Sequence, residues 1–165
     1  MSKGNARSLL ALTGFGLATA GAAWYGARYS RKESRATWHC RLDKPSPTPP
    51  KKVCPVVWTA LYAMMAWSGW RIWSAVPSRE RTHALRLWIS QLATNAKWSG
   101  LFLGEQSPTL ALADAIALEG MIFSYIKAAR KVDRAAAGAF IPYAAWVAYA
   151  ALLNSEIGRL NQREA

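Results

Sequence analysis

Three stretches of the chain, residues 8–27, 53–70 and 135–155, contain no charged side chain. Two more are nearly clean: 87–104 carries only Lys97, and 106–126 only Asp114 and Glu119. A hydrocarbon core about 30 Å thick demands roughly 20 apolar residues of a helix that crosses it. The runs are rich in Ala and Leu without period-two alternation, which argues against strands. We therefore expect an all-α integral membrane protein, a five-transmembrane-helix bundle with spans at about 9–27, 53–73, 86–104, 108–128 and 135–157. One charge-free run would suit the core of a soluble bundle, but three exceed what a 165-residue soluble fold buries. The whole chain, 1–165, reads as a single multi-pass membrane domain.

The first span has a competing account. Lys3 and Arg7 precede it, and Ala18-Thr19-Ala20 or Ala20-Gly21-Ala22 would serve as a cleavage site for a signal peptide. Against cleavage, the run continues through Trp24 and Tyr25, which suit the membrane interface. Gly14, Ala18, Ala22 and Gly26 also place a small residue every four positions, as close helix packing requires.

Charge is segregated into the connections. The chain carries 21 Lys and Arg against nine Asp and Glu, a formal net charge of +12, yet 52% of it is apolar. That composition excludes a disordered basic tail, and two cysteines exclude a disulfide scaffold. The basic first loop, 28–52, holds Arg28, Arg31, Lys32, Arg35, Arg41, Lys44, Lys51 and Lys52, and its Pro-Ser-Pro-Thr-Pro-Pro run at 45–50 calls for a stiff, extended conformation. Arg79, Arg81 and Arg86 fall between spans two and three, and Lys127, Arg130, Lys131 and Arg134 between four and five. Basic residues divided among membrane-flanking loops suit membrane lipid as a partner better than nucleic acid. They split ten against ten between the two sides, so the positive-inside rule assigns no orientation.

Nine tryptophans stand out among the remaining residues. Trp70, Trp73 and Trp88 fall near predicted span ends, where an amphipathic ring prefers the headgroup level. Trp58, Trp98 and Trp146 lie farther in, and their indole N–H groups require acceptors. Three inner tryptophans on three helices suggest a flat, aromatic-lined pocket, although packing alone would account for any one of them. Asn95 and Ser99 share a helix face beside Trp98, and Pro142 frees carbonyl capacity one turn before it. Lys97, Asp114 and Glu119 lie at membrane depth, where a charge costs about 2.5–3.5 kcal/mol, so Lys97 is expected to pair with Glu119 or Asp114, or to snorkel.

Between Trp38 and Asn161 the chain resembles the TspO/MBR family, the tryptophan-rich sensory proteins related to the mitochondrial translocator protein. Trp38-His39-Cys40-Arg41-Leu42-Asp43-Lys44-Pro45 followed by Pro49-Pro50 is similar to the family's first loop, Trp-Tyr-x-x-Leu-x-Lys-Pro-x-Trp-x-Pro-Pro. Val57-Trp58-Thr59-Ala60-Leu61-Tyr62 resembles its second-helix signature. Gln91-Leu92, Asn95, Trp98-Ser99 and Phe102 fit the third helix, and Pro142-Tyr143, Trp146, Asn154 and Leu160-Asn161 the fifth. The resemblance implies a five-helix bundle, commonly a homodimer, that binds porphyrins and, in some relatives, sterols and benzodiazepine-site ligands. It also implies a pocket beneath the first loop formed by Trp58, Tyr62, Asn95, Trp98, Ser99, Trp146 and Ala150, with Trp38 and His39 above it. Departures are Pro47 in place of the loop's second aromatic residue, His39 in place of its Tyr, and Lys97 and Glu119 within the helices. No sterol-recognition pattern fits the last helix, because Tyr149 lies ten residues before Arg159.

These features suggest a receptor-like protein for tetrapyrroles, protoporphyrin IX or haem, linked to porphyrin regulation or transport, with no obligatory cofactor. Some bacterial relatives degrade protoporphyrin IX in light, which would make Trp58 and Trp146 candidate catalytic residues. The same aromatic bundle would also suit a transporter with Lys97 and the buried acids as a relay, or a docking scaffold. No P-loop, HExxH or GxSxG template is present, and Cys40, Cys54 and His39 are too few for a metal site.

Overall fold

The computed structural model describes residues 3–30, 53–99 and 108–161. It is all-helical: α1 Lys3–Ser30, α2 Val53–Ser74, α3 Arg79–Ser99, α4 Pro108–Ala129, a short α5 Arg134–Gly138, and α6 Ile141–Asn161. The first loop, with Trp38, His39, Cys40, Arg41 and Lys44, lies outside the described residues, as does Phe102. Helices of 21–22 residues are about 32 Å long, enough to cross a hydrocarbon core.

Local chemistry sets the boundaries. Pro108 opens α4 at a position where its missing N–H costs nothing. Pro77 and Ser78 separate α2 from α3, and the Ser78 hydroxyl accepts from the Arg81 N–H at 3.0 Å as an N-cap. That cap starts α3 at Arg79 rather than near residue 86, so the first two turns, polar and charged, extend the helix beyond the apolar run. The fifth expected span is two helices rather than one. Asp133 caps α5, accepting from the N–H groups of Ala135 at 2.8 Å and Ala136 at 3.0 Å. The chain then turns at Ala139–Phe140, because Pro142 in the first turn of α6 has no N–H to continue the ladder.

In the packing, α1 lies against α2 and α3, α4 bridges α3 and α6, and α5 closes the end between α2 and α4. The core at that end is dense. Ile72, Ile122, Tyr125, Ala129, Ala136 and Phe140 are completely buried, and the Phe140 ring sits 4.2 Å from Tyr125 and 5.7 Å from Tyr143. Ser68 donates to the Ala136 carbonyl at 2.7 Å and takes the Tyr125 hydroxyl at 2.7 Å. Trp88 is also core rather than interfacial: it is buried, its indole N–H donates to the Met65 carbonyl at 2.9 Å, and Phe15 meets it edge-on at 4.8 Å. Gly69 lies beneath that pair, where a Cβ would come within 2.7 Å of Phe15 and 2.8 Å of Trp88. Of the small residues on α1, Ala22 and Gly26 are buried, whereas Gly14 and Ala18 are exposed.

Arg71 joins α2 to the α5 cap through hydrogen bonds to Asp133 at 2.7 and 2.6 Å. Burial pushes the Asp133 carboxyl up, but the N–H of Ala136, the Arg71 guanidinium and the N–H of Ala135 outweigh it and hold the group below its ordinary value.

The outside of the bundle is apolar. Leu10, Val56, Ile89, Ile116, Phe123 and Leu152 all face outward. Asn5–Arg28 and Arg134–Glu156 are long and apolar enough to cross a membrane by themselves, and most of each surface is not covered by protein. An outward-facing apolar surface of this extent suits lipid.

Candidate functional site

At the end of the bundle away from α5, four helices converge on a small cavity. Trp58 comes from α2, Asn95 and Trp98 from α3, Ala115 and Leu118 from α4, and Val147 and Ala150 from α6. Spacing explains the convergence: Asn95 and Trp98, Ala115 and Leu118, and Val147 and Ala150 are each three apart, so each pair presents one helix face. The lining is almost wholly apolar, and the side chains close around only about 10 Å³, roughly the volume that admits one water.

Polar groups lie beneath and beside this cavity. Tyr62, one turn along α2 from Trp58, donates its hydroxyl to Asn95 Oδ1 at 2.7 Å and stacks at 5.5 Å on the Trp58 ring. Trp58 meets Tyr143 of α6 at 6.3 Å, edge-on. Tyr143 is completely buried, with its hydroxyl among the polar groups of Tyr62, Asn95 and Glu119. Glu119 Oε2 is buried and has no hydrogen-bond partner among the described residues. Glu119 lies one turn from Ala115 on α4, and Tyr143 one turn from Val147 on α6, so both occupy the helix faces that line the cavity.

Of the residues expected from sequence, Trp58, Asn95, Trp98 and Ala150 share this cavity, and Tyr62 positions Asn95 from behind. Trp146 is outside the lining, its ring 5.8 Å from Tyr149. The Ser99 side chain, Trp38 and His39 lie outside the described residues. Ala115, Leu118 and Val147 join the lining without a sequence signal, because small apolar residues in an apolar run carry none of their own. Lys97 does not enter the interior: its side chain is 66% exposed and pairs with Asp114 at 3.5 Å on the flank of α3 and α4. Of the two expected partners, Glu119 and Asp114, it is Asp114 that Lys97 meets. Among the described residues no three His, Cys, Asp or Glu side chains gather as metal ligands.

A helical bundle with an outward apolar surface and a tryptophan-walled cavity defines a class of membrane proteins, and the sequence comparisons specify which. The TspO/MBR family signature matches residues 13–160. The bovine translocator protein is 34% identical over 151 residues, covering 90% of this chain and 89% of its own. A tryptophan-rich protein TspO from Chlorobaculum tepidum is 34% identical over 134 residues, covering 76% of this chain and 81% of its own. The tryptophan-rich sensory protein of Cereibacter sphaeroides is 33% identical over 124 residues, covering 75% and 77%. The chain belongs to the TspO/MBR family and is a membrane protein.

Proposed function

We propose that the chain is a receptor-like, multi-pass membrane protein in which α1, α2, α3, α4 and the α5–α6 unit each cross the bilayer, and that it binds a porphyrin between α2, α3, α4 and α6. The observation that carries this reading is the convergence of Trp58 and Trp98 on one apolar cavity beside the polar groups of Asn95, Tyr143 and Glu119. Flat indoles complement a flat macrocycle through stacking and apolar burial. Asn95, Tyr143 and Glu119 would supply hydrogen bonds to its polar edge. Basic residues of the first loop, Arg41 and Lys44, would meet its propionates.

The cavity of about 10 Å³ is far below the roughly 300–1,000 Å³ of a ligand site, so binding must displace side chains and part α2 from α6. The protein would thereby register porphyrin level as a change in shape, as regulation or transport requires. Trp146, turned toward Tyr149, leaves Trp58 and Trp98 as the primary stacking pair in this receptor reading.

The test is a titration of the detergent-purified protein with protoporphyrin IX, read by tryptophan quenching and porphyrin absorbance, in darkness and then under light. Trp58→Phe, Trp98→Phe and Trp146→Phe are titrated in parallel, with an unrelated membrane protein as control. Saturable dark binding weakened most by the first two substitutions, with a stable porphyrin spectrum in light, is expected. Bleaching in light that depends on Trp58 and Trp146 would replace the receptor with a degrading enzyme. Absence of saturable binding would refute both.

A further inference from the structure

A second cavity, of about 480 Å³, opens at the other end of the bundle, where α3 begins and α4 ends. Arg79 and His83 enter it from the first two turns of α3, one turn apart. Ser124, Lys127 and Lys131 enter it from the last turns of α4 and the turn beyond. Glu80 is the one carboxylate in the lining. Among the described residues, Arg79, Lys127 and Lys131 form no ion pair.

Two further observations define the ligand. Cations near the C-terminus of α4 are favoured by the helix dipole, but Arg79 stands at the N-terminus of α3, where the dipole disfavours positive charge and favours an anion. The cleft thus gathers three cations, Arg79, Lys127 and Lys131, against the single carboxylate of Glu80. Below the cleft, Ile116, Gly120, Phe123 and Lys127 follow one another at i, i+4, i+7 and i+11, a single stripe on the outer face of α4. Ile116 is 62% and Phe123 59% exposed, and Gly120 leaves open space between them. An apolar track that ends in a cationic cleft matches an amphiphile with an anionic head.

We propose that this cleft binds the phosphate headgroup of an anionic phospholipid, with Arg79, Lys127 and Lys131 holding the phosphate and the acyl chain lying along Ile116 and Phe123. The site rests on the membrane placement of the chain and is independent of porphyrin binding at the opposite end.

The test is native mass spectrometry of protein equilibrated with an equimolar mixture of phosphatidylcholine and phosphatidylglycerol. The wild type is expected to retain phosphatidylglycerol preferentially. Combined Arg79→Gln, Lys127→Gln and Lys131→Gln should reduce that preference by about tenfold or more, since each basic group near a lipid surface contributes substantially. These side chains are exposed, so the thermal midpoint should stay put, and Lys127→Arg with Lys131→Arg should preserve the preference. Arg130→Gln with Arg134→Gln, basic residues outside the lining, should leave it unchanged. Equal loss in that last variant would overturn the site in favour of diffuse charge. Displacement of the lipid by millimolar inorganic phosphate would overturn the amphiphile in favour of a soluble phosphate.

Discussion

At the α5 end of the bundle, Ser68, Tyr125 and the Ala136 carbonyl form a closed hydrogen-bond chain, Asp133 is shared between Arg71 and a helix cap, and Phe140 sits between two tyrosines. At the opposite end, Trp58, Trp98, Tyr149 and Ala150 are only partly buried, and an oxygen of Glu119 lacks a partner among the described residues. The same helices run through both ends, so composition does not separate them. Hydrogen bonds and an ion pair tie α2, α4 and α5 together at the first end, whereas the helices around the Trp58–Trp98 cavity meet mainly through apolar and aromatic contacts with the single cross-helix bond from Tyr62 to Asn95 described there. On the proposed reading, helices that part to admit a ligand would do so at the end with fewer cross-helix bonds.

Substitutions that attack this asymmetry should differ in size and in kind. Phe140→Ala opens the densest packing and should cost about 3–5 kcal/mol, read as a lowered unfolding midpoint in detergent. Gly69→Ala forces a methyl against Phe15 and Trp88 and should cost about 1–3 kcal/mol, with increased protease access to α1 as its signature.

Asp133→Ala removes a helix cap and a partly exposed ion pair, together about 1–2 kcal/mol. Because the folded state holds the Asp133 carboxyl below its ordinary value, its contribution is fully present above the unfolded value near 4 and is lost as pH falls through the folded one. The gap between wild type and Asp133→Ala in thermal midpoint should therefore narrow on acidification, and a gap that holds down to pH 2 would contradict the assignment. Tyr62→Phe removes one hydrogen bond to Asn95 and should cost the least stability, about 1 kcal/mol, yet weaken porphyrin binding several-fold.

Much of the fold was legible because lipid-facing helices advertise themselves as charge-free runs. The starts of α2 and α4 fell where apolarity returns. The start of α3 did not, since Arg79, Glu80, Arg81 and His83 read as loop although the Ser78 cap makes them helix. Pro142 was conspicuous, but only the packing of Phe140 between Tyr125 and Tyr143 reveals that the chain turns there. Within the site, Trp58 and Asn95 were legible through the family pattern and the scarcity of polar groups at depth. Ala115 and Val147 were invisible, as is any small apolar residue until its neighbours are placed. Trp146 illustrates the converse: an inner tryptophan on the right helix, turned by its register toward Tyr149. Lys97 stood out as a lone cation in an apolar run, and its exposed side chain meets the buried Asp114, one of the two partners its position offered.

Hydrogen–deuterium exchange with and without protoporphyrin IX in darkness tests most directly whether a ligand enters the loosely built end. Slowed exchange along 58–62, 95–99, 115–119 and 146–150, with 68–72, 122–129 and 134–140 unchanged, is the expected result. Protection confined to the α5 end, or absent from both, would contradict it.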